Sequence, residues 1–191
     1  FEGAGFNDTC LSLTYLAEGE DGFDAEKSWA GTNRPVLPAS NRLRYLQWGL
    51  RRAVDAEAPM FAEYCAAEIF REVPDPACAK PLSARKFAWY AERIDHARER
   101  LGADLEDELT ASELAKSAGI SLFHFTRLFA ELVGMPPHRY RLKARLDAAH
   151  AMLRGGRGVT ETCYACGFNN LSHFSRSFAR AFGAPPSRIG G

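Results

Sequence analysis

Long apolar runs are absent from this sequence: no stretch approaches the roughly 18 residues that a membrane-spanning helix needs. No signal-peptide pattern is visible either, so we expect a cytoplasmic protein without a membrane partner. Because the chain begins at Phe1 rather than Met, we also expect its natural start to lie upstream. Its five cysteines are odd in number and scattered, which excludes a dense disulfide framework and favours a reducing compartment.

Patterns typical of enzymes are also missing. The sequence has no catalytic dyad, P-loop, Rossmann glycine pattern or HExxH motif, so we expect neither catalysis nor a cofactor. The pair Cys163-x-x-Cys166 supplies two thiols, whereas a structural zinc site needs about four ligands. Both cysteines fall where a short helix is expected to pack, which favours buried small residues over a metal site. A redox- or metal-responsive regulator that senses through this pair is the alternative function.

Acidic residues are scarce in only one part of the chain. Residues 119–191 contain 10 Lys+Arg and 3 Asp+Glu, a net of +7, while residues 1–118 contain 14 and 21, a net of −7. The chain is therefore neutral only because two opposite parts cancel. A basic C-terminal part predicts a polyanionic partner such as nucleic acid or an acidic membrane. A basic surface that only aids solubility is the alternative.

The basic part contains an internal repeat. Residues 124–139 read HFTRLFAELVGMPPHR and residues 173–188 read HFSRSFARAFGAPPSR, at a constant offset of 49 positions. A strict pattern that occurs twice indicates one small structural unit used twice.

The first copy is predicted to lie in a helix-turn-helix unit. A capping box at Thr110 and Glu113 starts a short helix, because each side chain can bond a backbone N–H of the other residue. Gly119 then turns the chain, and Ser121 caps a helix over residues 122–133.

The second copy is predicted to repeat this arrangement. Thr160 is expected to cap the short helix, and Gly167 turns the chain into a helix over residues 171–182. A connector helix over residues 137–154 joins the two units. It would be roughly 27 Å long, close to the ~34 Å between successive major grooves of DNA.

Each predicted repeat helix has a buried apolar stripe and an outward face of Arg, Ser, Thr and small residues. The stripes are Phe125, Leu128, Phe129 and Leu132 in the first helix and Phe174, Phe178, Ala181 and Phe182 in the second. A slim outward face suits a major groove, where Arg bonds guanine and Ser or Thr bonds base edges. His124 and His173 are equivalent in the repeat, which indicates a shared structural or phosphate-contact role. The predicted phosphate contacts are Ser121, His124, Arg139, Arg141, Arg145, His173 and Arg180.

The first 80 residues are less regular. Residues 10–16 alternate like a strand, helices are predicted over residues 41–57 (capped by Ser40) and 59–72, and residues 74–81 form a Pro-rich linker. The apolar stripe of the first helix is predicted as Leu43, Leu46, Leu50 and Val54. The predicted fold is therefore mainly α: two helix-turn-helix units joined by a long connector helix, preceded by two helices and a short β-like remnant.

Two segments resemble the DNA-binding domain of AraC/XylS-type transcriptional regulators. They are TASELAKSAGISLFHFTRLFAELVGMPPHRYRLKARLDAAHAML and GFNNLSHFSRSFARAFGAPP. The resemblance covers about residues 84–189, with helix-turn-helix subdomains at about 84–136 and 155–189. The family usually has Ile-Ala where this chain has Thr162-Cys163. Residues 1–80 resemble only the tail of an N-terminal sensor and dimerisation domain, together with a linker.

The resemblance implies a sequence-specific regulator, often an activator, that binds double-stranded promoter DNA and acts through RNA polymerase. It implies a small-molecule effector at the missing N-terminal domain. It also makes the helix over residues 41–57 a candidate for homodimerisation, although an intramolecular core helix is the equal alternative. Carried over residue by residue, the base contacts would be Phe123, Thr126, Arg127, Leu171, Ser172, Ser175 and Arg176.

Overall fold

The computed structural model describes residues 40–72, 82–103, 105 and 109–189. Within them, all regular structure is helical. The α-helices are α1 (Asn41–Asp55), α2 (Pro59–Arg71), α3 (Ala84–Ala103), α4 (Ala111–Ser117), α5 (Leu122–Val133), α6 (Pro137–Arg154), α7 (Val159–Ala165) and α8 (Leu171–Phe182), followed by a 3₁₀ helix, Pro186–Arg188. This confirms the mainly α fold. The strand predicted at residues 10–16 and the linker at residues 74–81 lie outside the described residues.

The chain divides into two compact units, Phe1–Ala88 and Trp89–Gly191, and the division falls within α3. The predicted domain boundaries at residues 80 and 84 remain predictions.

In the first unit, α1 and α2 pack as an antiparallel pair. Ser40 caps α1 as predicted, because its side chain accepts a hydrogen bond from the Leu43 N–H. Ion pairs join the start of α1 to the end of α2: Arg42 Nη2 lies 2.7 Å from Glu68 Oε2, and Arg42 Nε lies 2.9 Å from Glu72 Oε2. The two helices therefore cover one another along much of their length.

The apolar face of α1 is rotated from the predicted stripe. Tyr45, Leu46, Leu50 and Ala53 are buried, whereas the predicted member Val54 is 63% exposed. The spacing of apolar residues left two adjacent faces possible, and packing against α2 decides between them.

The first helix-turn-helix unit follows the prediction closely. Thr110 and Glu113 form both hydrogen bonds of the capping box, and Ser121 caps α5 by accepting from the His124 N–H. Gly119 turns the chain with a φ of 69°. The whole predicted stripe of α5, from Phe125 to Leu132, is buried.

The second helix-turn-helix unit differs from the prediction in two details. α7 begins at Val159 with Gly158 as its N-cap residue, so the prediction that Thr160 caps this helix is wrong. Here the Gly158 backbone enters the helix without a side-chain cap. Asn170, which the sequence reading missed, caps α8 by accepting from the His173 N–H at 2.9 Å.

The connector α6 spans the predicted residues and packs against the second helix-turn-helix unit. Together they form one hydrophobic cluster, which contains Leu146, Ala149, Leu153, Cys163, Cys166, Phe168, Phe174 and Phe178. Within the α8 stripe, Phe174 and Phe178 are buried as predicted, but Ala181 is exposed and Phe182 is only half-buried. The Phe182 ring packs against this cluster and lies 4.6 Å from the His150 ring of α6.

Candidate nucleic-acid interface

The outward face of α5 is open to solvent at the predicted base-contact positions. Phe123 is 80% exposed and Arg127 is exposed, while Thr126 is half-buried. The Thr126 hydroxyl donates to the Leu122 carbonyl at 2.9 Å, so its methyl group and oxygen lone pairs are what the side chain can offer a ligand. This surface combines a cation, an aromatic ring and a small polar residue.

The corresponding face of α8 has the same character. Leu171 is 39% exposed, Ser172 and Arg176 are exposed, and Ser175 is half-buried. Arg176 Nε donates to the Ser172 carbonyl at 3.3 Å, which directs the guanidinium along the helix surface. Both helices therefore present an arginine one turn after their N-terminus.

The two repeat histidines lie in different surroundings, and their shared structural or phosphate-contact role stays a prediction. His124 Nε2 is 3.0 Å from the Tyr90 hydroxyl, and the two rings meet edge to face. His173 is exposed, and its ring lies 5.9 Å from that of Phe168 in the preceding turn. The helices that surround each unit make this difference, which the local sequence pattern cannot show.

Two connector arginines bond backbone carbonyls of the segment between α3 and α4. Arg141 Nη1 donates to the Leu109 carbonyl at 2.5 Å, and Arg145 Nε donates to the Leu105 carbonyl at 2.9 Å. Nε and Nη2 of Arg141 are buried and have no hydrogen-bond partner among the described residues. The two guanidinium groups therefore join Leu109 and Leu105 to α6.

Arg141 and Arg145 also line a pocket of about 350 Å³, together with His138, Asn170 and His173. The structure thus brings three of the predicted phosphate contacts together at the N-terminus of α8. Of the two remaining predicted arginine contacts, Arg180 is exposed on α8.

The other, Arg139, lines a separate pocket of about 650 Å³ beside Lys143 and Asp147. Those two residues form an ion pair of 2.6 Å.

A family model described as a helix-turn-helix domain matches residues 114–190, which include α5, α6, α7 and α8. Residues 114–190 therefore form a helix-turn-helix domain. This agrees with the predicted resemblance for that part of the chain. No curated protein matches the chain.

Several solved structures are similar to the helix-turn-helix part of the chain. A probable AraC family transcriptional regulator from Rhodopseudomonas palustris is 29% identical, with a TM-score of 0.48, over 52% of this chain and 94% of that chain. A transcriptional regulator from Chromobacterium violaceum is 27% identical, with a TM-score of 0.49, over 54% and 93%. The DNA-binding domain of AdpA, solved in complex with a target DNA, is 26% identical, with a TM-score of 0.46, over 53% and 88%.

The cysteine pair of the helix-turn-helix domain is buried in its core. Cys163 and Cys166 are both 0% exposed, and Cys163 Sγ lies 3.8 Å from the Phe168 carbonyl oxygen. Burial raises the pKa of the Cys163 thiol, which disfavours the reactive thiolate. The described residues contain no group of three or more His, Cys, Asp or Glu that could hold a metal ion. Nothing in the domain therefore supports sensing through this pair.

No helix in the described part of the chain is both long enough and apolar enough to cross a bilayer.

Proposed function

We propose that the chain is a sequence-specific regulator of transcription whose helices α5 and α8 read adjacent major grooves of promoter DNA. The observation that carries this proposal is the pair of equivalent helices, each with a buried stripe, a capped N-terminus and an exposed Arg-containing face. The connector α6 has 18 residues and is roughly 27 Å long, which suits grooves ~34 Å apart. We propose that the protein acts by binding DNA and not by catalysing a reaction.

The charge of the domain supports a phosphate-rich partner. Of its three acidic residues after position 118, Asp147 pairs with Lys143 and Glu161 pairs with Arg157 at 3.2 Å. Little negative charge remains near the reading faces to repel a DNA backbone. Long-range attraction of DNA follows from this excess of positive charge.

The phosphate contacts divide into two groups. Ser121, Arg139, His173 and Arg180 are exposed and are proposed to touch the DNA backbone directly. Arg141 and Arg145 are already bonded to carbonyls, so we assign them to hold Leu109 and Leu105 against α6 and to contribute positive charge to the pocket at the start of α8.

Base reading is assigned to the exposed side chains of α5 and α8. Arg127 and Arg176 are proposed to bond guanine O6 and N7, while Phe123 and Leu171 are apolar and suit thymine methyl groups. Selection of bound DNA from a random pool should yield two conserved blocks about one helical turn apart. Failure to enrich any common sequence would contradict the proposal.

Substitution of the two arginines tests the base assignments. Arg127→Ala and Arg176→Ala should each weaken binding to the selected DNA site by about 1–3 kcal/mol. Each should also relax the base preference at one position in one block. Arg180→Ala is the matched control on α8. It should weaken binding to all DNA sequences similarly. It should also reduce the salt slope, the steepness with which log K falls with log salt concentration, by about 0.9. If either base-reading variant binds all sequences as the parent does, its assignment is wrong.

We also propose that an effector domain lies upstream and that the regulator acts through RNA polymerase, often as an activator. The N-terminal unit supports a homodimer with a different surface from the one predicted. The apolar face of α1 is covered by α2, whereas α2 exposes Met60 (85%), Phe70 (59%) and Tyr64 (40%). We therefore assign dimer formation to α2.

The exposed side of α2 is self-complementary about Ala67. If two α2 helices pack antiparallel with Ala67 at the axis, Tyr64 of one copy meets Phe70 of the other, and Glu63 meets Arg71. All five residues are exposed. Sedimentation of the parent should show a dimer, Glu63→Arg should weaken it, and Glu63→Arg combined with Arg71→Glu should restore it. A monomeric parent would exclude this surface.

A further inference from the structure

We infer that Tyr90 is a positioning residue for base reading: through His124 it holds the first turn of α5, and with it the base selectivity of the first DNA block. The inference rests on the proposed function and adds a residue of α3, outside the residues that face DNA. It also reassigns His124 from a phosphate contact to an internal anchor.

The first turn of α5 has few other anchors. Ser121, Leu122 and Phe123 are exposed, and the buried stripe begins only at Phe125. His124 is half-buried, and its ring contacts Tyr90 of α3. This turn carries Phe123, and Arg127 lies one turn further on, so a small rotation of the helix start moves both proposed base contacts.

The anchor itself is specific. The Tyr90 hydroxyl lies 3.0 Å from His124 Nε2, and the ring centroids are 5.2 Å apart at 63°. The hydroxyl can either donate to Nε2 or accept from it, according to the tautomer of the ring. This contact ties α5 to α3.

Tyr90 also contacts its neighbour Trp89 on α3. Trp89 meets the Tyr90 ring edge-on at 5.0 Å, and the Arg93 guanidinium lies 3.7 Å above the Trp89 ring. Arg93 Nη1 also donates to the Trp89 carbonyl at 3.2 Å. Cation–π and edge-to-face contacts of this kind restrict the rotamers on α3, so the hydroxyl is held where His124 needs it.

The second helix-turn-helix unit lacks this anchor. His173, the equivalent residue, contacts Phe168 from the turn of its own unit, and within the described residues its side chain has no hydrogen-bond partner. Loss of the Tyr90 hydroxyl should therefore affect the first block and leave the second block unchanged. This asymmetry distinguishes positioning from a general loss of folding or charge.

Tyr90→Phe removes one oxygen atom and keeps the ring contacts. We expect its preference for the selected base at the Arg127 position to fall about 3- to 10-fold, the scale of one net hydrogen bond. Preference at the Arg176 position, affinity for random DNA and the salt slope should stay as in the parent. Amide exchange at Phe125 should become faster. His124→Leu should lower selectivity similarly in the parent and add little to Tyr90→Phe, whereas His173→Leu should not alter the first block.

The outcomes separate the two levels of inference. If the parent selects no DNA sequence, the proposed function fails and the role of Tyr90 fails with it. If the parent is selective but Tyr90→Phe retains its preference at the first block, only the role of Tyr90 is overturned. An equal loss at both blocks, or a changed salt slope with unaltered preference, would also overturn it, because each indicates a general structural or phosphate-contact role.

Discussion

The turn glycines of the two helix-turn-helix units form a matched pair for substitution. Gly119 and Gly167 have φ values of 69° and 72°, a region that costs a side chain about 1–2 kcal/mol. Their surroundings differ. A Cβ at Gly119 would meet nothing within 4 Å, whereas a Cβ at Gly167 would lie 2.1 Å from the Leu105 carbonyl oxygen and 2.7 Å from Arg145 Nη2.

The magnitude of the difference follows from these contacts. Real Cβ atoms essentially never approach another heavy atom within 3.0 Å, so the Leu105 backbone must move away from Gly167→Ala. That movement breaks the 2.9 Å hydrogen bond from Arg145, and a bond to a charged donor contributes about 1.5–3 kcal/mol. We expect Gly119→Ala to lower the free energy of unfolding by about 1 kcal/mol, because reduced unfolded-state entropy offsets part of the strain. Gly167→Ala should lower it by about 3–4 kcal/mol.

Urea unfolding followed by helical circular dichroism measures both values, provided that the dependence on urea is the same in all variants. In an Arg145→Met background, the hydrogen bond is already absent, so Gly167→Ala should cost less than it does in the parent. Equal losses for the two glycine variants would refute the reasoning, because they would show that residue 167 does not face the Leu105 carbonyl.

Three further predictions concern the domain core and its caps. Thr162 is fully buried, and its hydroxyl has no hydrogen-bond partner in the described structure. Thr162→Val should therefore raise the free energy of unfolding by about 1 kcal/mol. The exposed control Thr160→Val should change it by less than about 0.5 kcal/mol. Because burial raises the pKa of Cys163, its alkylation at pH 8 should be slow until the domain unfolds, and the free energy of unfolding should fall as pH rises above about 8.5, where the unfolded thiol ionises first. Rapid modification of native Cys163, measured by mass spectrometry, would contradict this. Hydrogen bonds from the backbone and then the side chain of Thr110 lower the pKa of Glu113, so the destabilisation by Glu113→Ala should be complete at pH 7. The destabilisation should shrink as pH falls below about 4.3 and through the lowered pKa of Glu113 in the folded state. A destabilisation that does not depend on pH would exclude the hydrogen bonds from Thr110 as its cause.

Much of the reading surface could be predicted from the sequence because its signals are local. A capping hydrogen bond joins residues three positions apart, as at Ser121 and Thr110. Apolar spacing marks a helix and its approximate face, and the repeat indicates that the unit is used twice. Where the spacing allowed two neighbouring faces, as at Val54, the prediction was wrong, since the packing partner chooses the face.

The sequence by itself determined the helices, the caps at Ser40, Thr110 and Ser121, the repeat and the excess positive charge, because each depends on composition or on neighbours within about one turn. Only the tertiary structure decided that Arg141 and Arg145 bond carbonyls 32 and 40 residues away, and that His124 meets Tyr90 at a separation of 34 residues. Such partners are selected when helices pack, and two residues with the same local pattern, such as His124 and His173, then acquire different surroundings.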